Sequence, residues 1–243
     1  MPNWVYNSLA IEAVEADPQQ IKELMTQLNQ PFSVTHDSWN VDTGQMEKNP
    51  TTYNNPIFAF WNVIRPLNLE AYFGEQPKHD PSKPITFDSD HWYDWNIRNW
   101  GTKWDVANQD GDSPYNDTSM ENTDNSVIYS FNTAWSVPYP AILKLSEQYP
   151  ELVMSLFYQE ETGWGGNAQF MNGKMIRELT YDSQCPECDG IDCMEYCENE
   201  CGEICSECNW LGEADLEEVA KCEEHKGFLD TDHVPEYRLV DKP

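Results

Sequence analysis

Residues 127–159 read VIYSFNTAWSVPYPAILKLSEQYPELVMSLFYQ, and this stretch indicates the fold class most clearly. Residues 127–132 have the apolar and β-branched composition of a strand, and residues 152–159 are typical of a buried strand. Between them, residues 140–149 follow a pair of prolines and carry apolar side chains at helical spacing. The stretch therefore predicts a strand, a helix and a second strand in succession.

A strand followed by a helix is also predicted at the start of the chain. Residues 4–12 (WVYNSLAIE) alternate between apolar and polar side chains and predict a strand. Asp17-Pro18 is a typical helix start, and apolar residues at positions 21, 24, 25 and 28 predict a helix with one apolar stripe. Near residue 172, Asn172-Gly173 predicts the turn of a closing hairpin.

The middle of the chain is less regular. Residues 30–56 and 109–125 are polar and are predicted to be loops, whereas residues 56–66 (PIFAFWNVIRP) are predicted to form a strand. Residues 91–105 (HWYDWNIRNWGTKWD) predict a helix that ends near Gly101. The whole order predicts an α+β fold, with helices on one face of an antiparallel sheet.

The cysteines are confined to the C-terminal quarter of the chain. All eight lie between residues 185 and 222, and a histidine follows three residues later. Two Cys-x2-Cys pairs and a Cys-x2-His pair are typical of structural zinc, because a two-residue spacer aims two donors at one tetrahedral centre. The candidate zinc ligands are Cys185, Cys188, Cys193, Cys197, Cys201, Cys205, Cys208, Cys222 and His225.

Nine donors suffice for one or two zinc ions, and the spacing leaves the partition open. One partition joins Cys205 and Cys208 to Cys222 and His225; another forms a four-cysteine site from Cys185, Cys188, Cys205 and Cys208. A disulfide framework and an iron–sulfur cluster are the alternatives to zinc. Disulfides are disfavoured because the chain does not begin with a signal peptide pattern, and because paired cysteines of a secreted chain would spread along it.

Two domains are predicted: residues 1–180 as an α+β domain, and residues 181–243 as an acidic, cysteine-rich zinc module. The chain carries 43 acidic and 14 basic residues, a formal net charge of −29. A field of this sign repels phosphate groups, so neither nucleic acid nor an anionic membrane is an expected partner. The acidity is expected either to provide solubility or to dock a protein with a basic surface.

Three motifs together resemble a known family. They are Met1-Pro2-Asn3-Trp4, Asn99-Trp100-Gly101-Thr102-Lys103-Trp104-Asp105, and Thr133-Ala134-Trp135-Ser136 followed by Pro138. The chain resembles phage and plasmid proteins that carry a YubB-type ferredoxin-like domain, over roughly residues 1–180. The resemblance implies a ferredoxin-like topology without an iron–sulfur cluster and a home on bacterial mobile elements. It implies no particular activity.

The tryptophan-rich segment has two readings. Trp100 and Trp104 are one helical turn apart and are predicted to pack the helix onto the sheet. Alternatively, tryptophans interleaved with Arg98 and Lys103 could stack on bases. Asp105 is expected to pair with Lys103 or Arg98.

The sequence favours a non-enzymatic protein. It contains none of the common nucleotide-binding, serine-hydrolase or zinc-protease motifs. The carboxylate–histidine cluster at Asp88, Asp90, His91 and Asp94 could hold a divalent ion, but capping of a helix by Ser89 or Asp90 explains it more simply. The leading hypothesis is a phage or plasmid accessory protein, in the bacterial cytoplasm, that binds a basic host protein through an acidic surface. A metal-dependent hydrolase acting on nucleotides and a virion-assembly protein are the alternatives.

The zinc prediction is tested by elemental analysis of the purified protein. We expect one or two zinc ions per chain and a colourless sample, because zinc is d10 and closed sites bind it without redox chemistry. Chelation is expected to unfold residues 185–225 and to leave the tryptophan near-ultraviolet signal of the first domain in place. A zinc-free sample, or a brown one containing iron and sulfide, would refute the zinc assignment.

Overall fold

The computed structural model describes residues 3–77, 82, 84, 86–107, 117–181, 194–196 and 203–205. For residues 36–40, 46, 49, 194–196 and 203–205 it describes the backbone alone. The chain divides into two compact units. One comprises Met1–Glu161 and Gly166–Leu179, and the other comprises Thr162–Gly165 and Thr180–Pro243. The predicted domain boundary after residue 180 stays a prediction.

The first strand, β1 (Trp4–Glu12), lies at the centre of a six-stranded sheet. It pairs antiparallel with β5 (Ser126–Ala134) on one side and with β6 (Val153–Glu160) on the other. Leu9 lies opposite Tyr129 and Leu156, and all three side chains are buried. Alternate residues therefore form one buried face, as the period of two in the sequence predicts.

Two helices cover that buried face. Helix α1 (Gln19–Leu28) buries Ile21, Leu24 and Leu28 of the predicted stripe, and Met25 is half-buried. Helix α4 (Tyr139–Gln148) connects β5 to β6, and its Tyr139 ring contacts Phe170 on the buried face at 5.8 Å. The two helices lie side by side, joined by a 2.8 Å hydrogen bond from Gln27 Nε2 to Gln148 Oε1.

The strand order of the sheet is β4-β5-β1-β6-β7-β8, where β4 is Ser119–Asn122, β7 is Gly165–Met171 and β8 is Lys174–Tyr181. In this order β1 lies between β5 and β6, which α4 joins, and α1 precedes β4 on the same face. This is the β-α-β-β-α-β arrangement of the ferredoxin-like fold. The predicted α+β class, antiparallel sheet and helical face are confirmed.

The predicted closing hairpin is present. β7 and β8 are joined by Asn172 and Gly173, whose φ angles are +50° and +70°. Positive φ at both central positions is typical of a type I′ turn, which matches the twist of the paired strands and favours Asn-Gly.

A long segment between α1 and β4 differs from the prediction. It contains the hairpin β2 (Phe32–Asn40) and β3 (Gln45–Tyr53), a 3-10 turn at Phe60–Asn62, α2 (Leu69–Tyr72) and α3 (Trp92–Asn99). The loop predicted for residues 30–56 is therefore wrong, and so is the strand predicted for residues 56–66. Strand β4 also lies inside the stretch predicted as a loop at 109–125. Helix α3 is confirmed.

The remaining described strands, β9 (Met194–Tyr196) and β10 (Glu203–Cys205), form a two-stranded antiparallel sheet in the second unit. Within the described residues, no helix is long and apolar enough to cross a membrane.

Because one face of the sheet is buried, substitutions on its two faces should differ in their effect on the free energy of unfolding. Leu9→Ala removes a fully buried side chain from the central strand, and we expect the free energy of unfolding to fall by roughly 3 kcal/mol. Ile128→Ala changes the opposite face, where the side chain is 40% exposed, and should cost less than about 1 kcal/mol. Urea unfolding followed by tryptophan fluorescence measures both. Equal losses would contradict a sheet buried on one face.

Candidate functional site

The segment between α1 and β4 encloses a cavity of about 800 Å³. Its walls come from the β2–β3 hairpin, the 3-10 turn, α2 and α3. Eight aromatic side chains line it: Phe32, Tyr53, Trp61, Tyr72, Phe73, Trp92, Trp100 and Trp104. We call it the aromatic cavity. Its volume lies within the range of about 300–1,000 Å³ that is usual for small-molecule sites.

The sequence does not predict the hairpin part of this wall, because residues 30–56 have the composition of a loop. Phe32 and Tyr53 are cross-strand partners, and their rings stack with centroids 4.7 Å apart. Phe32 also stacks on Trp61 at 5.9 Å. The sequence signal for this hairpin is an aromatic residue at each end of a largely polar stretch.

Hydrogen bonds hold the wall residues in place. The Tyr72 hydroxyl donates to Asn96 Oδ1 at 2.8 Å, and Asn96 Nδ2 donates to the Lys103 carbonyl at 2.8 Å. Trp100 Nε1 donates to the Ile64 carbonyl at 3.0 Å. Burial raises the pKa of Tyr72, so its hydroxyl stays protonated and remains a donor. These bonds join α2, α3 and the chain on either side into one preformed wall.

Edge-to-face ring contacts fill the interior behind the wall. The Tyr72 and Trp95 rings lie 5.6 Å apart at 84°, and the Trp95 and Trp100 rings lie 5.5 Å apart at 89°. Such pairs add stabilisation beyond the area they bury. Trp100 is 2% exposed, which confirms the prediction that it anchors the helix.

Asp105 is a structural carboxylate at the edge of the cavity. Its Oδ1 accepts the backbone N–H groups of Phe60, Val106 and Ala107 at 2.8, 2.7 and 3.1 Å, and its Oδ2 accepts that of Trp61 at 2.9 Å. The expected ion pair with Lys103 or Arg98 is therefore wrong. Arg98 instead pairs with Asp90 at 3.0 Å.

Burial of the carboxyl group raises the pKa of Asp105 from 3.8 to about 6, and the four N–H groups oppose that rise. Above pH 6 the group is mainly ionised, so it places a negative charge beside the aromatic rings. Both of its oxygens are occupied by backbone donors, which gives it a structural role.

Gly101 and Thr102 join the cavity to the sheet. Gly101 has φ +83°, and a Cβ there would lie 2.6 Å from Pro140 Cδ and 2.9 Å from the Val137 carbonyl. The fully buried Thr102 hydroxyl donates to the Ala134 carbonyl at 3.0 Å and accepts the Ala134 N–H at 3.1 Å. The predicted helix end at Gly101 is confirmed, and only glycine fits this approach.

The prediction that Trp104 packs in the core is wrong. It is 38% exposed and stacks on Trp135, which is 44% exposed, with centroids 6.3 Å apart. The Lys103 ammonium nitrogen lies 4.6 and 4.7 Å from the two ring centroids. Trp135 has φ +68°, a strained value for a bulky residue, and its N–H donates to the Asn3 carbonyl at 2.9 Å.

Members of the predicted carboxylate–histidine cluster form hydrogen bonds with Ser89, a neighbour in the sequence. Ser89 Oγ donates to Asp94 Oδ2 at 2.6 Å and accepts the His91 N–H at 3.3 Å. The predicted capping of the helix by Ser89 or Asp90 is wrong, because the N-cap of α3 is His91, whose side chain makes no capping hydrogen bond. Among the residues that the structure describes, no three His, Cys, Asp or Glu side chains are grouped to hold a metal ion.

The predicted zinc donors lie outside the described side chains. They are Cys185, Cys188, Cys193, Cys197, Cys201, Cys205, Cys208, Cys222 and His225, and of these only Cys205 is described, as backbone at the end of β10. The zinc site therefore stays a prediction.

A group of exposed carboxylates lies at one end of the sheet, where β1 ends and β5 and β6 begin. Its members are Glu12, Glu15, Asp17, Asp124 and Glu151. The loops that carry them contain no lysine or arginine. Exposed Val14 lies among them. We call this the acidic edge.

The pKa of Asp105 gives a pH-dependent prediction. With a folded pKa of about 6 against 3.8, the folded protein binds more protons than the unfolded chain between these values. The stability that this carboxyl group contributes is present below about pH 4 and is lost as pH rises through 6. The Asp105→Asn variant lacks this titration, so the stability difference between wild type and variant should shrink as pH rises, by at most about 3 kcal/mol.

Urea unfolding of both proteins at a series of pH values measures that difference. A difference that grows with rising pH would mean that the four N–H groups outweigh burial, which would place the pKa of Asp105 below 3.8.

The chain is similar to a known protein family and to a solved structure. Residues 103–200 match the model of a family described as the ferredoxin-like domain in Api92-like protein. No curated protein matches the chain. The crystal structure of a protein api92 from Yersinia pseudotuberculosis aligns at 16% identity and a TM-score of 0.31, over 40% of this chain and 33% of that one. The matched residues include β4, β5, α4 and β6, and the chain contains a ferredoxin-like domain.

Proposed function

We propose that this chain is a non-enzymatic accessory protein of a bacteriophage or plasmid that binds a host protein through its acidic surface. The partner carries a basic surface, and it belongs to nucleic-acid metabolism or defence in the bacterial cytoplasm. Structural zinc holds the C-terminal module. The observation that carries the proposal is the acidic edge, a set of exposed carboxylates on or next to described loops that contain no lysine or arginine.

The charge distribution supports a docking role. Residues 181–243 contain 19 acidic and 4 basic residues, a net charge of −15, and the other 180 residues carry −14. Both parts of the chain therefore attract cations. Long-range attraction of this kind mainly speeds the encounter with an oppositely charged partner and falls with ionic strength.

The acidic edge also fits the anatomy of a docking surface. Val14 is 67% exposed and lies in the same loop as Glu15 and Asp17, so an apolar contact is available beside the charges. Glu151 accepts a hydrogen bond from Gln20 Nε2 at 2.6 Å, and the Asp17 side chain accepts the Gln19 N–H at 2.9 Å. These contacts hold two of the five carboxylates in fixed positions before a partner arrives.

The test begins with capture of partners from bacterial lysate and identification by mass spectrometry. Binding of the purified partner is then measured by surface plasmon resonance over a range of salt concentrations. We expect the association rate to fall about tenfold or more between low and high salt, with a smaller change in the dissociation rate.

Charge-neutralising variants locate the surface. The edge variant Glu12→Gln with Glu15→Gln should lower the association rate several-fold at low salt, as should replacement of the tail residues Glu195, Glu198, Glu200 and Glu203 by glutamine. The control variant Glu70→Gln with Glu161→Gln removes the same charge as the edge variant elsewhere on the surface and should have a much smaller effect. A binding constant that is flat across salt and equal in all variants would exclude electrostatic docking.

A further inference from the structure

We propose that the aromatic cavity binds an alkylammonium group, carried either by a free organic amine or by a lysine side chain of a partner. This goes beyond the proposed function, because the aromatic cavity and the acidic edge are different parts of the surface. The proposal rests on the ring content, the charge balance and the rigidity of the cavity.

The walls suit a cation. Four of the eight aromatic residues are tryptophans, and tryptophan presents the strongest negative ring face of the aromatic side chains. An ammonium group that leaves water needs such faces around it, because no single ring replaces its hydration. Rings from the hairpin, the 3-10 turn, α2 and α3 line one volume, so a ligand in it would contact aromatic side chains from several elements.

The formal charges lining the cavity sum to −1. They are Lys48, Glu75 and Asp105. The Lys48 ammonium donates to the Phe73 carbonyl at 2.6 Å, so its position at the rim is set by the backbone of the chain after α2. Asp105 is ionised at neutral pH and lies against the rings. An anionic ligand would meet this buried charge, whereas a cation gains from it.

The chain already places one of its own ammonium groups against such rings. Lys103 Nζ lies 4.6 Å from the Trp104 centroid, 4.7 Å from the Trp135 centroid and 5.8 Å from the Tyr93 centroid. These distances are within the roughly 6 Å at which cation–π attraction operates. Trp104 belongs both to this contact and to the cavity wall, so the same local chemistry extends into the cavity.

The cavity is preformed. Tyr72, Asn96 and Trp100 are fixed by the hydrogen bonds described above, and Asp105 fixes the 3-10 turn. A ligand therefore does not have to order these walls, and that ordering cost is removed from binding.

The decisive experiment compares two ligands of the same shape. Choline and 3,3-dimethylbutan-1-ol differ in having a quaternary nitrogen or a carbon, and thus in one charge. Titration of the full chain, followed by tryptophan fluorescence and calorimetry, should show choline binding about tenfold more tightly, equivalent to about 1.4 kcal/mol. Equal binding of the two, tighter binding of the alcohol, or no binding of either would overturn the proposal.

Variants assign the effect to the cavity. Trp92→Leu keeps an apolar side chain but removes one of the eight rings, and should reduce the preference for choline, whereas Trp92→Phe should retain more of it. Lys48→Gln keeps a donor for the Phe73 carbonyl and removes a positive charge, so choline should bind more tightly while the alcohol is unaffected. Tyr6→Leu, on the open face of the sheet, is the matched control and should bind as wild type. Loss of choline preference in Tyr6→Leu but not in Trp92→Leu would refute the cavity assignment.

A peptide arm distinguishes the two sources of the ammonium group. Acetyl-Gly-Lys-Gly-amide is compared with the same peptide carrying glutamine. Preference for the lysine peptide over both its glutamine counterpart and choline indicates a partner side chain, whereas preference for choline over both peptides indicates a free amine. The Glu12→Gln, Glu15→Gln edge variant should leave choline binding unchanged, so failure here is separate from failure of the docking proposal.

Discussion

A buried contact between the long inserted segment and the sheet helps to position the aromatic cavity, together with the packing of Phe58 and Phe60 on Phe131. The Thr102 hydroxyl both donates to and accepts from the Ala134 backbone, so it takes the place of a strand partner at the end of β5. Thr102 can reach this position because Gly101 turns the chain with a positive φ and leaves no Cβ against Pro140. A bulkier residue at 101 would clash with Pro140 and the Val137 carbonyl and so disturb this contact. The residues on either side of this contact are therefore constrained as a unit.

That constraint explains the Asn-Trp-Gly-Thr-Lys-Trp-Asp string without a catalytic role. The string ends at Asp105, whose carboxylate gathers four backbone N–H groups from two separate segments. Such donors would otherwise be buried without acceptors, at a cost of about 1–3 kcal/mol each. The carboxylate thus holds the 3-10 turn against the chain after α3, and this fixes Trp61 in the cavity wall. The charge near the rings is a by-product of a structural requirement, and the proposed cation site makes use of it.

Most elements that the sequence predicts correctly have an apolar period set by burial on one face, namely β1, α1, β5, α4 and β6. Helix α3 and the β7–β8 hairpin are also predicted correctly, the hairpin from its Asn-Gly turn. The errors have physical causes. The β2–β3 hairpin is largely polar, so it lacks the alternation that marks a half-buried strand. Residues 60–62 have strand composition, but Asp105 accepts the N–H groups of Phe60 and Trp61 and thereby favours a 3-10 turn. From the sequence, Asp105 is expected to form an ion pair with a nearby cation. Its backbone donors Phe60 and Trp61 come from a distant segment and leave no sequence signal. The cavity could not be predicted for the same reasons.

The two proposed surfaces lie toward opposite ends of β1. Trp4, at its start, contacts Trp104 of the cavity wall with centroids 6.0 Å apart, and Glu12, at its end, belongs to the acidic edge. Eight strand steps of about 3.3 Å separate them by roughly 26 Å. This exceeds the Debye length of about 8 Å at physiological ionic strength, so a charge change at one end is largely screened at the other. A basic partner docked at the edge and an ammonium group in the cavity therefore act as independent ligands, unless one partner is long enough to reach both.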